Sequence, residues 1–293
     1  MNRQVKIALV TGANSGLGKE TAIGLAKQGY RVIMVARSRE RGETAQREII
    51  SASNSASVDL LIADLSSQRE IRELANIVAN QYPQLDLLVN NVGNSFMTRQ
   101  LSPDGIEMSL AVNHLASFLL THLLLDIIKA SAPARIVNVG TRLNTEMNFD
   151  DLQWERRPYQ GLATYAQSKL GNLHFTFALA ERLAGTGVTV NCVHPGVFRS
   201  NLGSSAGPSP IWLGVITAMS KPFLTPASKA AERILFVATA PELKGVSGKY
   251  FGNRVELPAP TQTLDPSAQA RLWSISAQLT GLESPSFSAQ TPT

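Results

Sequence analysis

The chain has 293 residues, 44% of them hydrophobic and 17% charged, a balance that suits a sizeable folded core and excludes wholesale disorder. Lys and Arg number 27 against 22 Asp and Glu, and the net charge of +5 is not gathered into a basic face of the kind nucleic acid needs. The one cysteine, Cys192, excludes an internal disulfide framework and a cysteine-based zinc cluster.

The elements alternate from the N-terminus onward. An apolar run at 5–10 reads as a strand with no cleavable apolar leader before it, and residues 17–28 read as a helix. Strand-like runs recur at 30–36, 58–63, 85–90, 135–139 and 188–193, with a late one at 248–251. Helical patterns lie between them at 38–53, 67–80, 102–129, 164–184 and 228–238. In the helix at 67–80, Ile71, Leu74, Ile77 and Val78 recur at helical spacing; in 164–184 the stripe is Leu170, Leu173, Phe177, Ala180 and Ala184.

Sustained strand–helix alternation predicts an α/β fold: one doubly wound domain over 1–282, with about seven parallel strands covered by helices on both faces. The cofactor half is expected at about 1–140 and the substrate half at about 141–282, with a long loop over 200–226 as a lid. The Ser/Pro-rich 283–293 reads as a frayed tail. No apolar run reaches the ~18–20 residues of a membrane span, so a cytoplasmic chain without a nucleic-acid partner is expected.

Between the first strand and the first helix lies Thr11-Gly12-Ala13-Asn14-Ser15-Gly16-Leu17-Gly18. Glycines at such a turn let backbone approach a pyrophosphate, and the helix behind offers free N–H groups and a positive dipole end. Gly12, Asn14, Ser15, Gly16, Leu17 and Gly18 are therefore expected to hold a dinucleotide. The second strand ends in Val35-Ala36-Arg37, with no carboxylate to receive ribose hydroxyls. Arg37 can clamp a 2′-phosphate, which selects NADP(H) over NAD(H). Asp64 and Leu65 end the third strand near the adenine, and Asn91 and Gly93 end the fourth beside the nicotinamide ribose.

Tyr165 and Lys169 are four apart on a helix and so share one face. A phenol of pKa ~10 serves as a neutral-pH acid or base once nearby positive charge lowers it, and the Lys169 ammonium and a positive nicotinamide ring are such charges. In their order along the chain, Thr11–Gly18, Asp64-Leu65, Asn90–Gly93, Asn113, Tyr165 with Lys169, and Pro195-Gly196 resemble the short-chain dehydrogenases/reductases, a Rossmann-type family, over about residues 5–252. Asn113-His114-Leu115, the segment 165–172 and His194-Pro-Gly-Val look like its retinol-dehydrogenase-like branch.

The resemblance implies Tyr165 as general acid/base, Lys169 on the ribose hydroxyls, and Asn113 holding a water in a proton relay. It implies Pro195, Gly196 and Val197 at the cofactor and a serine after the fifth strand, where this chain has Thr141 with its extra methyl. It also implies a homodimer or homotetramer through the fourth and sixth helices. Thr141, Tyr165 and Trp212, the last in the apolar stretch of the expected lid, would face a bulky apolar carbonyl or alcohol substrate. A second reading stays open: a cofactor-binding scaffold, sensor or non-redox pocket, suggested by Thr141 and by Val92 where the family pattern has alanine.

Two rival chemistries fall away. Gly-Ser-Ser-Ala-Gly at 203–207 fits a nucleophile elbow, but no histidine follows it and no strand precedes it. The four histidines show no metal-ligand spacing.

Overall fold

Strands covered on both faces must bury both sets of side chains, so they read as near-continuous apolar runs. The runs become β1 (Ile7–Thr11), β2 (Arg31–Ala36), β3 (Val58–Ile62), β4 (Leu87–Asn90), β5 (Ala134–Val139), β6 (Val188–His194) and β7 (Lys249–Gly252). The computed structural model describes residues 5–142, 145–196 and 225–282. Val197, Trp212, the tail at 283–293 and nearly all of the expected lid lie outside the described residues.

An eighth strand, β8 (Val255–Glu256), completes the sheet, whose order is β3-β2-β1-β4-β5-β6-β7-β8, with neighbours parallel from β3 through β7. The count is eight rather than about seven. The added β8 pairs antiparallel with β7, and its two exposed residues give no apolar run to read. Chain direction across the sheet reverses between β1 and β4, and the crevice at such a switch point is where ligands bind in open α/β sheets.

Helices pack on both faces. One face is covered by α1 (Gly16–Lys27), α2 (Arg39–Ser53) and α7 (Ala227–Thr239), through Leu25, Ile49 and Ile234. The pattern at 102–129 resolves into pieces: α4 begins at Met108–Leu110, passes through a π turn at Ala111–Leu115 and resumes at Ala116–Leu123, and α5 covers Leu125–Ala130. With α3 (Gln68–Gln81) and α6 (Gly161–Arg182), α4 covers the other face, through Leu74, Phe118 and Phe175. Fully buried Glu107 starts α4 by accepting the Ser109 and Leu110 N–H groups, each at 2.8 Å.

The late segment forms α8 (Pro266–Leu279), which returns onto this second face. Its Trp273 sits under the Arg182 guanidinium at 3.8 Å and meets the Phe118 and His122 rings at 5.2 and 4.9 Å. Gln68 and Arg72 of α3 donate to the carbonyls of Leu279 and Thr280 at 2.8 and 2.7 Å. Part of the α4–α6 surface is thus covered within the chain. Among the described residues no helix is long and apolar enough to cross a membrane.

Candidate active site

A cleft of about 2140 Å³ opens at the C-terminal ends of the strands. That exceeds the ~300–1,000 Å³ of an ordinary small-molecule pocket, leaving room for a dinucleotide and a second molecule. One end is the turn from β1 to α1. Gly12 and Gly16 have φ of +65° and +50°, a backbone region that side chains disfavour, and a Cβ at Gly16 would point into open space. A Cβ at Gly18 would strike the Gly12 carbonyl oxygen, so only glycine lets α1 start this close to the loop.

The start of α1 also differs from its neighbours. Ser38 and Ser67 cap α2 and α3, with Glu40 and Glu70 in the first turns. Ser15 makes no side-chain cap, and the first turn of α1 carries no acid. Free N–H groups, a positive dipole end and no carboxylate together suit a phosphate. The residues therefore fit a dinucleotide.

At the adenosine end, Arg37 and Arg41 line the cleft beside Ser38, Asp64 and Leu65. Both arginines are exposed and form no ion pair among the described residues, whereas Lys19 is held by Glu48 at 2.6 Å. Asp64 is oriented by Ser66, whose N–H and hydroxyl both donate to Oδ1 at 2.9 Å. Asn91 serves the framework, for its Nδ2 donates to the Thr11 carbonyl at 2.8 Å and ties β4 to β1.

The other end gathers Gly93, Thr141, Tyr165, Lys169, His194, Pro195 and Gly196 around one cavity. Lys169 is buried, and its Nζ donates to the carbonyls of Val92 at 3.3 Å and Val139 at 3.2 Å, the ends of β4 and β5. Gly93 makes room for it, since a Cβ there would lie 2.5 Å from Nζ. Burial holds the ammonium down at about 8.

Tyr165 lies one turn before Lys169, and burial pushes its phenol up to about 12. The expected lowering, by Lys169 together with the positive nicotinamide ring, is not seen in the protein alone. There, loss of solvent outweighs the cation one turn away, and both groups move toward their neutral forms.

Asn113 falls within the π turn, buried between β4's exit and α6. Its Nδ2 donates to Asn94 O at 2.9 Å and Ser168 Oγ at 2.8 Å, while Oδ1 accepts Asn94 N–H at 2.7 Å. Its side chain is thereby committed to positioning the loop after β4. Ser168 in turn donates to the Tyr165 carbonyl at 2.8 Å, linking Asn113 to the Tyr165 turn.

A family model described as short chain dehydrogenase matches residues 6–209. The chain belongs to the short-chain dehydrogenases/reductases. Retinol dehydrogenase 13 of Homo sapiens is 42% identical over 293 residues, covering 97% of this chain and 87% of that protein. Among solved structures, an uncharacterised protein from Mycobacterium paratuberculosis superposes with TM-score 0.75 at 30% identity, covering 94% of this chain and 93% of that one. The NADP active-site complex of RhlG from Pseudomonas aeruginosa gives TM-score 0.64 at 28% identity, over 85% and 94%.

Within this short-chain dehydrogenase the cleft also recruits residues that sequence reasoning passed over. Arg41 follows Arg37 by one helical turn, a spacing visible in the sequence but absorbed into the reading of a solvated helix. Phe96, Asn94 and Arg142 line the cleft from loops, where no periodicity marks them. Among the described residues no group of three or more His, Cys, Asp or Glu side chains is placed to hold a metal ion.

Proposed function

We propose that this oxidoreductase is an NADP(H)-dependent reductase or dehydrogenase acting on the carbonyl or alcohol of a bulky, largely apolar small molecule. The observation that carries the reading is a single cleft joining three things: the uncapped start of α1, the two unpaired arginines after β2, and the Tyr165–Lys169 face of α6. A bound nicotinamide would supply or accept the hydride. Gly12 to Gly18 would hold the pyrophosphate, and Arg37 with Arg41 the 2′-phosphate in two-point geometry.

Tyr165, held protonated at neutral pH, is disposed to donate its hydroxyl proton to the developing alkoxide of a carbonyl substrate. The Lys169 ammonium on the same helix face would stabilise the phenolate that remains. With its pKa near 8, Lys169 can pass on a proton and regain it near neutrality. Thr141 keeps a hydroxyl donor for the substrate oxygen in the position where the family pattern has serine, and its methyl narrows that side of the cleft. Leu101, Leu162, Phe96 and Met108 make the walls apolar, which favours substrates with few polar groups to desolvate.

The relatives support this reading: one is named a retinol dehydrogenase, and one structural neighbour was solved with NADP. The test is nicotinamide oxidation with NADPH and with NADH against a panel of bulky apolar aldehydes and ketones. Turnover with NADPH well above NADH is expected, and folded protein that binds neither nucleotide would overturn the reading. Thr141 and Val92 favour the rival, a cofactor-binding protein with little turnover; a large rate gain in Thr141→Ser would favour it, and an unchanged or lower rate would favour the enzyme.

A further inference from the structure

The charges that line the cleft are unevenly placed. Its carboxylates are Glu40, Glu48 and Asp64, all at the adenosine end. The substrate end, around Thr141, Thr145, Leu162, Tyr165 and His194, has none among the described residues, yet Arg142 opens into it. Arg142 is exposed and makes no ion pair among the described residues, and Glu146, the nearest acid along the chain, makes none either.

Elsewhere on the surface Arg31, Arg69, Arg254 and Arg271 each pair with a carboxylate, whereas the exposed Arg47, Arg72 and Arg156 form no ion pair among the described residues. The arginines that line the cleft, Arg37, Arg41 and Arg142, likewise form no ion pair among the described residues, and what sets them apart is their place. The first two face the adenosine end, where a 2′-phosphate would sit. Arg142 is at the opposite end, away from that phosphate, where it can meet the anion of a second molecule.

The rest of the chain cannot supply one from the adjoining segment. Residues 182–231 contain no Asp or Glu, so the stretch that follows Gly196 brings no carboxylate of its own. A second guanidinium lies beside the cleft wall: Arg233 Nη1 donates to the Pro195 carbonyl at 3.0 Å. His194 feels both guanidiniums: its Nδ1 is buried with no hydrogen-bond partner among the described residues, and burial followed by Arg233 and Arg142 holds its imidazole below the usual range.

We propose that Arg142 anchors an anionic group on the substrate, so that the preferred substrate combines an apolar body, a carbonyl or alcohol at Tyr165 and a carboxylate seated on the Arg142 guanidinium. A single guanidinium matches the two oxygens of a carboxylate in fork geometry. The inference rests on the reading of the cleft given above, and its test is built so that the two can fail separately.

Two probes without a reactive carbonyl, a saturated medium-chain carboxylate and its methyl ester, are titrated by calorimetry into the NADPH-loaded wild type and Arg142→Gln. Since Arg142 is exposed, the variant should keep its thermal midpoint. Wild type should bind the carboxylate about tenfold more tightly than the ester, equal to about 1.4 kcal/mol, and the variant should lose that preference. In parallel, a medium-chain ω-oxo acid and its methyl ester are assayed for turnover, with the same preference expected in kcat/KM. Equal affinity of wild type for the two probes overturns the inference, whatever the turnover. So does a variant that loses NADPH affinity while keeping the carboxylate preference, because Arg142 would then belong to the cofactor. Preferential carboxylate binding that depends on Arg142, with no turnover of either aldehyde, upholds the inference and fails the reductase reading.

Discussion

Replacing Lys169 by Met should abolish turnover and stabilise the ligand-free protein. The ammonium is buried, and its displacement from 10.5 to about 8 corresponds to about 3 kcal/mol by which folding disfavours its charged form. Methionine fills the same channel without charge but leaves the Val92 carbonyl without its Lys169 donor and the Val139 carbonyl with only the long bond from Asn172 Nδ2 at 3.4 Å, together costing about 2 kcal/mol. A net gain of about 1 kcal/mol is expected at pH 7. The sign of the pH dependence follows from proton counts: between pH 8 and 10.5 the unfolded chain binds the Lys169 proton and the folded chain does not, so this group makes wild-type stability rise with pH there. Burial also raises Tyr165 and Cys192, which lowers stability in the alkaline range; the Tyr165 contribution cancels when variant is subtracted from wild type, while the Cys192 thiol, which Lys169 holds down, is raised further in the variant. Urea denaturation of both proteins between pH 7 and 10 is the assay. The wild type should overtake the variant as pH rises; a difference that stays flat, or a variant less stable at pH 7 by several kcal/mol, would refute the reasoning.

Other expectations follow from the same structure. Arg37→Ser with Arg41→Ser should weaken NADPH binding at least tenfold while leaving NADH within about twofold, because only the 2′-phosphate is lost as a partner; equal losses for both nucleotides would show a general effect on the site. His114 and His174 are buried and held down to about 4, so between pH 6.5 and 4 the unfolded chain binds protons that the folded one refuses. Stability should therefore fall by up to about 3 kcal/mol per histidine as pH drops through that window, and His174→Leu should flatten the curve measured by urea midpoints. Trp273→Ala should cost ~3–5 kcal/mol in denaturant titrations, since it empties the junction between α8, α4 and α6.

The strands were legible because each is a dense apolar run broken at most by one or two polar residues, such as Asp59 in β3 and Asn191 in β6, and the order β1 to β7 along the chain follows from that. β8 was not: two exposed residues leave no pattern, and only pairing with β7 defines it. The π turn in α4 was hidden for the opposite reason, since apolar residues run on through it and the periodicity does not register the extra residue per turn. Tyr165 and Lys169 could be placed on one face from spacing. Their protonation could not, because it depends on β4, β5 and Gly93 closing around the ammonium from distant parts of the chain. Asn91 shows the limit of motif reading: the motif placed it beside the cleft, which it lines, while its side chain serves Thr11. Composition left 261–282 without a place in the fold; the Trp273–Arg182 stack, between residues far apart in sequence, settles where α8 lies.

The central claim is that Tyr165 moves the proton in an NADP(H)-linked reaction. The most direct measurement is single-turnover NADPH oxidation by wild type and Tyr165→Phe at pH 7, with nucleotide affinity determined for both. The account predicts unchanged NADPH binding and a rate reduced at least about a hundredfold by the loss of one oxygen atom. A variant that binds NADPH and oxidises it at the wild-type rate would contradict the claim.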